Sequence, residues 1–100
     1  MKQLPVFLTA VAIDSLSSIA HFIADKTGSL DVALSFVDRI EQRCRKIGDA
    51  PTGGRLRSDL GPNIRTVPFE NRAVILYRVE NESVEIIDIL YRGRQYVAGD

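Results

Sequence analysis

Cysteine occurs once in this chain, histidine once and tryptophan not at all. A lone Cys44 cannot close an internal disulfide, and no Cys/His cluster offers metal-ligand spacing, so neither a disulfide framework nor a metal or other cofactor is expected. No segment approaches the roughly 20 apolar residues that a membrane span requires. The N-terminus, with Pro5 and no small-residue cleavage pattern, does not read as a secretory signal, and the expected location is the cytoplasm. A surplus of one charge sign is also lacking: thirteen basic and thirteen acidic residues cancel, which argues against coating nucleic acid through a broad basic surface. Ten of the thirteen basic residues are arginine, the residue favoured where planar, bidentate contacts to carboxylate or phosphate matter. One hundred residues suffice for one domain, 1–100, with a modest core to which a bound partner could add stability.

What the chain does have is a pair of β-branched and aromatic runs, Arg72 to Val79 and Val84 to Tyr91, around the polar tetrad Glu80-Asn81-Glu82-Ser83. That is the pattern of a hairpin. With Asn81 and Glu82 as a two-residue loop, Val79 falls opposite Val84, Arg78 opposite Glu85, Tyr77 opposite Ile86 and Arg72 opposite Tyr91. The Arg78–Glu85 pair supports this register, being worth about 0.2–1 kcal/mol across a ladder. One face then carries Val79, Val84, Tyr77, Ile86, Ile75, Asp88, Ala73 and Leu90; the other carries Leu76, Ile87, Val74 and Ile89. Two apolar faces both require cover. The chain's own helices can cover one, and the other is expected to be short of cover and open to a partner chain.

Upstream, Gln3 to Thr9 reads as a strand whose Pro5 suits an edge or a strand's start. From Ala10 to Lys26 the residues Ile13, Leu16, Ile19, Ala20 and Ile23 recur at helical spacing, with Thr9 as N-cap and Gly28 as a left-handed stop. His21 lies on that helix's polar side, where a surface role is expected. Ser29 caps a second helix through about Ile47, with Leu30, Ala33, Leu34, Val37, Ile40, Cys44 and Ile47 in one stripe; Cys44 there is expected to be core. The short Thr27–Ser29 connection folds the two helices into an antiparallel hairpin. Residues 49–63 read as a Gly/Pro-rich loop, and their Thr52-Gly53-Gly54-Arg55 lacks the lysine and the strand-to-helix setting of a phosphate-binding loop. Ile64 to Phe69 is another strand, ending or bulging at Pro68. The expected fold is α+β: an N-terminal strand, then a helical hairpin packed on an antiparallel sheet completed by three C-terminal strands, in the order β-α-α-β-β-β.

Taken in order, Leu4-Pro5-Val6-Phe7-Leu8, two helices ending near Ile47-Gly48-Asp49-Ala50-Pro51, the segment Gly54 to Leu60, Arg65, Val74 to Val79 and Val84 to Tyr96 resemble the RelE/ParE superfamily of type II toxin-antitoxin toxins. Within it the chain is similar to the ParE branch. That resemblance implies a toxin that inhibits DNA gyrase by direct binding, is neutralised in a hetero-oligomer with a ParD-type antitoxin, and serves plasmid or chromosome stabilisation. It implies no membrane partner, no direct specific DNA binding and no cofactor. The sister branch, the RelE type, cuts mRNA on the ribosome, and a shared fold cannot choose between the two.

RNA cleavage by 2′-hydroxyl attack needs a base, an acid and cations for the phosphorane charge. In the nuclease branch an arginine lies three positions before the tyrosine of the third strand; here that position holds Val74. Tyr91 occupies the family's His-or-Tyr slot, with Arg92 and Arg94 beyond it and Asp88 where related toxins often carry a polar or basic residue. The resemblance therefore implies a non-nucleolytic toxin with no catalytic residues. By the same resemblance Tyr91, Arg92, Arg94, Gln95 and Tyr96 contact the target. The excess of apolar sheet surface leads to the expectation that the antitoxin lays an amphipathic segment into the uncovered groove, at Val74 and Leu76, and pairs acidic side chains with Arg55, Arg57 or Arg65. The alternative is a ribosome-dependent mRNA endonuclease in which Arg65, Tyr91, Arg92 and Arg94 do the phosphate and proton work.

Overall fold

The computed structural model of the chain describes residues 3–94 and 96. Its elements are β1 (Val6–Leu8), α1 (Ala10–Thr27), α2 (Leu30–Ile47), β2 (Arg55–Leu56), β3 (Arg65–Phe69), β4 (Ala73–Glu80) and β5 (Ser83–Tyr91). The architecture is α+β, with the helical hairpin on one side of a five-stranded sheet ordered β1-β5-β4-β3-β2.

Short-range chemistry sets the helix ends. The Thr9 hydroxyl accepts from the Ala12 N–H at 3.1 Å and donates to the Ile87 carbonyl at 2.8 Å, so one side chain both caps α1 and ties its start to β5. Gly28 sits at φ 70 and its N–H returns to the Ala24 carbonyl, a left-handed stop that only glycine adopts without cost. Ser29 accepts from the Val32 N–H, and Asp31 in the first turn and Arg45 and Lys46 in the last match the α2 dipole.

The sheet departs from the expected all-antiparallel form at its edge. β1 runs parallel to β5, pairing Val6 with Val84 and Leu8 with Ile86. Pro5 lies just before this edge strand and its carbonyl accepts from the Val84 N–H at 2.8 Å. A further strand, β2, pairs with β3 inside the expected loop; two residues are too few for alternation to announce.

A second correction concerns the hairpin. From Glu80–Ser83 to Tyr77–Ile86 the ladder follows the expected register, and then it slips by one, pairing Leu76 with Asp88, Ile75 with Ile89 and Ala73, in place of Arg72, with Tyr91. Ile87 is left over, as in a β-bulge. The slip sets Ile89 opposite Ile75 in the helix-covered core and leaves Asp88 against α1, where its carboxylate accepts from Ser15 Oγ at 2.6 Å and from the Ile89 N–H at 2.7 Å. An apolar side chain thus takes the packed position and the carboxylate keeps its hydrogen bonds. Both Asp88 and Ser15 are buried, and a buried carboxylate persists only when hydrogen-bonded.

The helix-covered core is built from Ala12, Leu16, Ile19 and Ile23 of α1, Ala33, Phe36, Ile40, Cys44 and Ile47 of α2, and Val67, Ala73, Ile75, Tyr77, Val84, Ile86 and Ile89 of the sheet. Ile13, Leu30 and Leu34, expected in the helical stripes, are exposed. Each stripe is rotated by about one position, toward Ala12 and Ser15 on α1 and toward Phe36 on α2. The opposite face is better covered than expected. Leu76 is fully buried and clusters with Ile64 and Leu90, and Leu60, Val74, Ile87 and Tyr96 pack around them. Part of the cover is the 57–64 loop, folded back by the Arg57 N–H on the Ile64 carbonyl at 2.7 Å.

Candidate interaction surfaces

Two surfaces bring candidate side chains together, one at each face of the sheet. The first is the end of the domain where α1 finishes, α2 begins and β3, β4 and β5 turn. Four rings form a continuous edge-to-face ladder there: Phe22–Tyr91 at 5.8 Å, Tyr91–Phe36 at 5.7 Å and Phe36–Phe69 at 5.6 Å between centroids. Such pairs hold the rings in place beyond simple burial. Four cations sit over the ladder. Lys26 Nζ is 5.6 Å from Phe22, Arg92 Cζ is 5.7 Å from both Phe22 and Tyr91, and Arg39 and Arg72 lie 5.6 and 5.8 Å from Phe36. All are within the range of a cation–π contact. The Arg92 N–H donates to the Arg72 carbonyl at 2.8 Å, joining the two arginine-bearing strand ends. Arg39 also forms a two-pronged pair with Glu70 at 2.8 and 3.0 Å, which holds the Glu70 carboxyl below its ordinary range.

The second surface is a concavity of about 390 Å³ on the other face, lined by Arg57, Asp59, Leu60, Thr66, Val74, Leu76, Leu90 and Tyr96. Its floor is Leu76, which is itself fully buried and offers no contact area; Val74 is half-buried. The rim is the Arg57–Asp59 pair, with two hydrogen bonds at 2.9 and 2.7 Å that keep the Asp59 carboxyl below the usual range. The loop before it is clamped from two sides. Tyr77 Oη donates to the Pro51 carbonyl at 2.8 Å and accepts from the Gly54 N–H at 2.9 Å, while Arg65 donates to the carbonyls of Thr52 and Gly54 at 3.2 and 2.9 Å.

The residues expected at the target divide between these surfaces. Tyr91 and Arg92 belong to the cation-ring end. Arg94 reaches back toward α1, its Nη1 3.5 Å from Ser15 Oγ, at the outer limit of a hydrogen bond. Tyr96 lines the opposite concavity beside Arg57, Val74 and Leu76, and Gln95 lies outside the described residues. The residues expected at the antitoxin also divide. Arg55 pairs across the ladder with Thr66, so it shares the concavity's face, whereas Arg65 pairs with Leu56 and Tyr77 and faces the other way.

Phe22, Lys26, Phe36, Arg39 and Arg72 escaped the sequence reading. A signal existed: Phe22-to-Lys26 and Phe36-to-Arg39 are aromatic–cation pairs at i,i+4 and i,i+3, which meet on one helix face. His21 is exposed, as expected. Cys44 is buried in the core, and burial first and Glu41 second push its thiol up to about 12, so it offers no nucleophile near neutrality. Among the described residues no three His, Cys, Asp or Glu side chains gather in a way that could hold a metal, and no helix is long and apolar enough to cross a membrane.

No curated protein matches the chain. A solved structure of the chromosomal ParDE toxin-antitoxin system from P. aeruginosa superposes with a TM-score of 0.78 at 21% identity, covering 89% of this chain and 96% of that one. The RelBE2 toxin-antitoxin complex from Mycobacterium tuberculosis superposes less closely, with a TM-score of 0.56 at 19% identity over 91% of this chain and 100% of that one. At such identities the likeness is one of fold. The family description "ParE toxin of type II toxin-antitoxin system, parDE" matches residues 6–96, nearly the whole chain, and on that match the chain belongs to the ParE toxin family of type II toxin-antitoxin systems.

Proposed function

We propose that the protein is a toxin that inhibits DNA gyrase by direct binding in the cytoplasm, is neutralised by a ParD-type antitoxin and so helps to stabilise the plasmid or chromosome that carries it. The observation that carries the non-nucleolytic reading is the scatter of the groups a nuclease would need. Arg65 pairs with Tyr77, whereas Tyr91 pairs with Ala73, four residues back along β4, or roughly 13 Å along the strand at its usual rise. Arg65 is also committed to two loop carbonyls. A base, an acid and a phosphate-binding cation within reach of one scissile bond is what RNA cleavage demands, and Arg65 stands apart from Tyr91 and Arg92, which touch each other.

Tyr91 and Arg92 supply the target contact at the cation-ring end, with Arg94 and Gln95 continuing it along the tail. The antitoxin occupies the concavity on the other face, laying an apolar side chain beside Val74 and an acidic one on Arg55 or Arg57, with Arg65 holding their loop. Leu76 acts there as floor. A supercoiling assay with purified gyrase, run beside a translation assay scored for mRNA cleavage, tests the proposal. Inhibited supercoiling with intact message is expected; cut message with unchanged topology would establish the mRNA endonuclease reading, and neither effect would identify an inert member of the family.

A further inference from the structure

Lys26, Arg72 and Arg92 have something in common that Arg39, Arg57 and Arg78 do not. The latter three each hold a carboxylate, while the former rest on ring faces and, among the described residues, make no ion pair. A contact with a ring satisfies none of the N–H donors of a guanidinium or ammonium. The ring ladder therefore holds these cations in place with their hydrogen-bonding capacity unspent, which lowers the ordering cost of a later contact.

Two further observations define what would spend it. First, apolar surface lies among the cations: Phe22 is 39% exposed and Val32 is 47% exposed, and Val32 borders with Phe36, Arg39 and Arg72 a hollow of about 350 Å³. Second, the charge is local and small. Among the described residues four cations face two carboxylates, Glu70 on Arg39 and Asp31 at the hollow's rim, in a chain of zero formal net charge. A phosphodiester backbone needs a longer cationic track, and bases need free ring faces, whereas Phe22 already carries Lys26 and Arg92.

We infer that this end of the domain is a docking surface for an acidic protein segment with interspersed apolar residues. Asp or Glu side chains seat on Arg72 and Arg92, and an apolar side chain packs against Phe22 and Val32. The inference takes from the proposed function only the identity of the partner, which is the toxin's protein target.

The test is amide chemical-shift mapping on the isotope-labelled full chain, titrated with a short synthetic peptide alternating glutamate and leucine, and separately with a short DNA duplex. The expected result is shifts at Phe22, Val32, Arg72 and Arg92 with the peptide, a peptide affinity weakened about tenfold or more in Arg72→Gln/Arg92→Gln, and little response to the duplex. Both substitutions are at exposed side chains, and the wild-type shift map decides the matter even if the double variant is unstable. Absent or scattered shifts, an unchanged affinity in the variant, or a duplex that moves the same residues as strongly would each overturn the inference. A localised peptide response in a protein that leaves gyrase untouched would refute the gyrase reading alone.

Discussion

Tyr77 offers the sharpest test of how the fold presents its 51–59 loop. Its ring is fully buried, yet its hydroxyl reaches the loop and makes two hydrogen bonds there, at 2.8 Å to the Pro51 carbonyl and 2.9 Å from the Gly54 N–H. Tyr77→Phe keeps the ring and removes both. Each bond is worth about 0.5–1.5 kcal/mol net, and since both loop groups are only partly buried, water recovers a share. The expected cost is about 1.5 kcal/mol, or a fall in Tm of roughly 6–12 °C for a chain of this size. Gly54→Ala attacks the same joint from the loop side, because a Cβ there would lie 2.5 Å from Tyr77 Oη. The two substitutions share an atom, so in combination they should cost about 1 kcal/mol less than their sum. Urea unfolding followed by circular dichroism measures all three variants, and amide exchange at Gly54 reports the joint itself. A Tyr77→Phe protein within about 0.3 kcal/mol of wild type, or a strictly additive pair, would show that the hydroxyl does not hold the loop.

Ile89→Ala is expected to cost about 3 kcal/mol and Ile87→Ala about 1 kcal/mol, because the slipped ladder buries Ile89 under the helices and leaves Ile87 half-covered; equal costs by urea unfolding would return the strand to its unslipped register. With its thiol pushed up to about 12, Cys44 should resist Ellman's reagent at pH 8 until the protein unfolds, and prompt labelling of the native chain would contradict its burial. Glu70 has a folded pKa depressed below 4.5 by the Arg39 hydrogen bond, so its contribution is present above the unfolded value and lost as pH falls through the folded one. Since the pair is exposed, Glu70→Gln should remove only a few tenths of a kcal/mol, and only above about pH 4; a loss that persists at pH 2 would assign the effect to something other than charge.

How much of this was legible in the sequence depends on how far apart the deciding residues lie. Thr9, Gly28 and Ser29 act on backbone groups within four residues, and the helix ends were readable to within a residue or two. The hairpin was readable for the same reason as far as Tyr77–Ile86, since Arg78 and Glu85 are close to the turn. Beyond it the strand packs against α1, where Asp88 meets Ser15 from 73 residues away, and no local pattern signals that meeting. The helical stripes erred likewise. In α1 both Ile13 and Ala12 lie on plausible faces at a period of 3.6, and the choice belongs to the sheet beneath.

The tail shows the same limit with a functional consequence. Tyr91 to Tyr96 is contiguous in sequence and reads as one contact set, but Arg92 and Gly93 take φ values of 53 and 79 and turn the chain there. Tyr91 stays under the helices between Phe22 and Phe36, while Tyr96, only five residues later, packs with Ile64, Leu76 and Leu90 on the opposite face. A left-handed pair favours a tight turn, and here the turn carries the chain from one apolar side of the sheet to the other. The two proposed partners therefore meet different faces of one hairpin, joined through a single turn at Arg92-Gly93. A segment that filled the Tyr96 concavity would act at one end of that turn and a segment that engaged Arg92 would act at the other, so the two would meet separate residues. Neutralisation by an antitoxin on the concavity would then have to act through the Arg92-Gly93 turn or through parts of the antitoxin that reach past the end of β5, where Arg94 lies exposed beside Ser15 of α1.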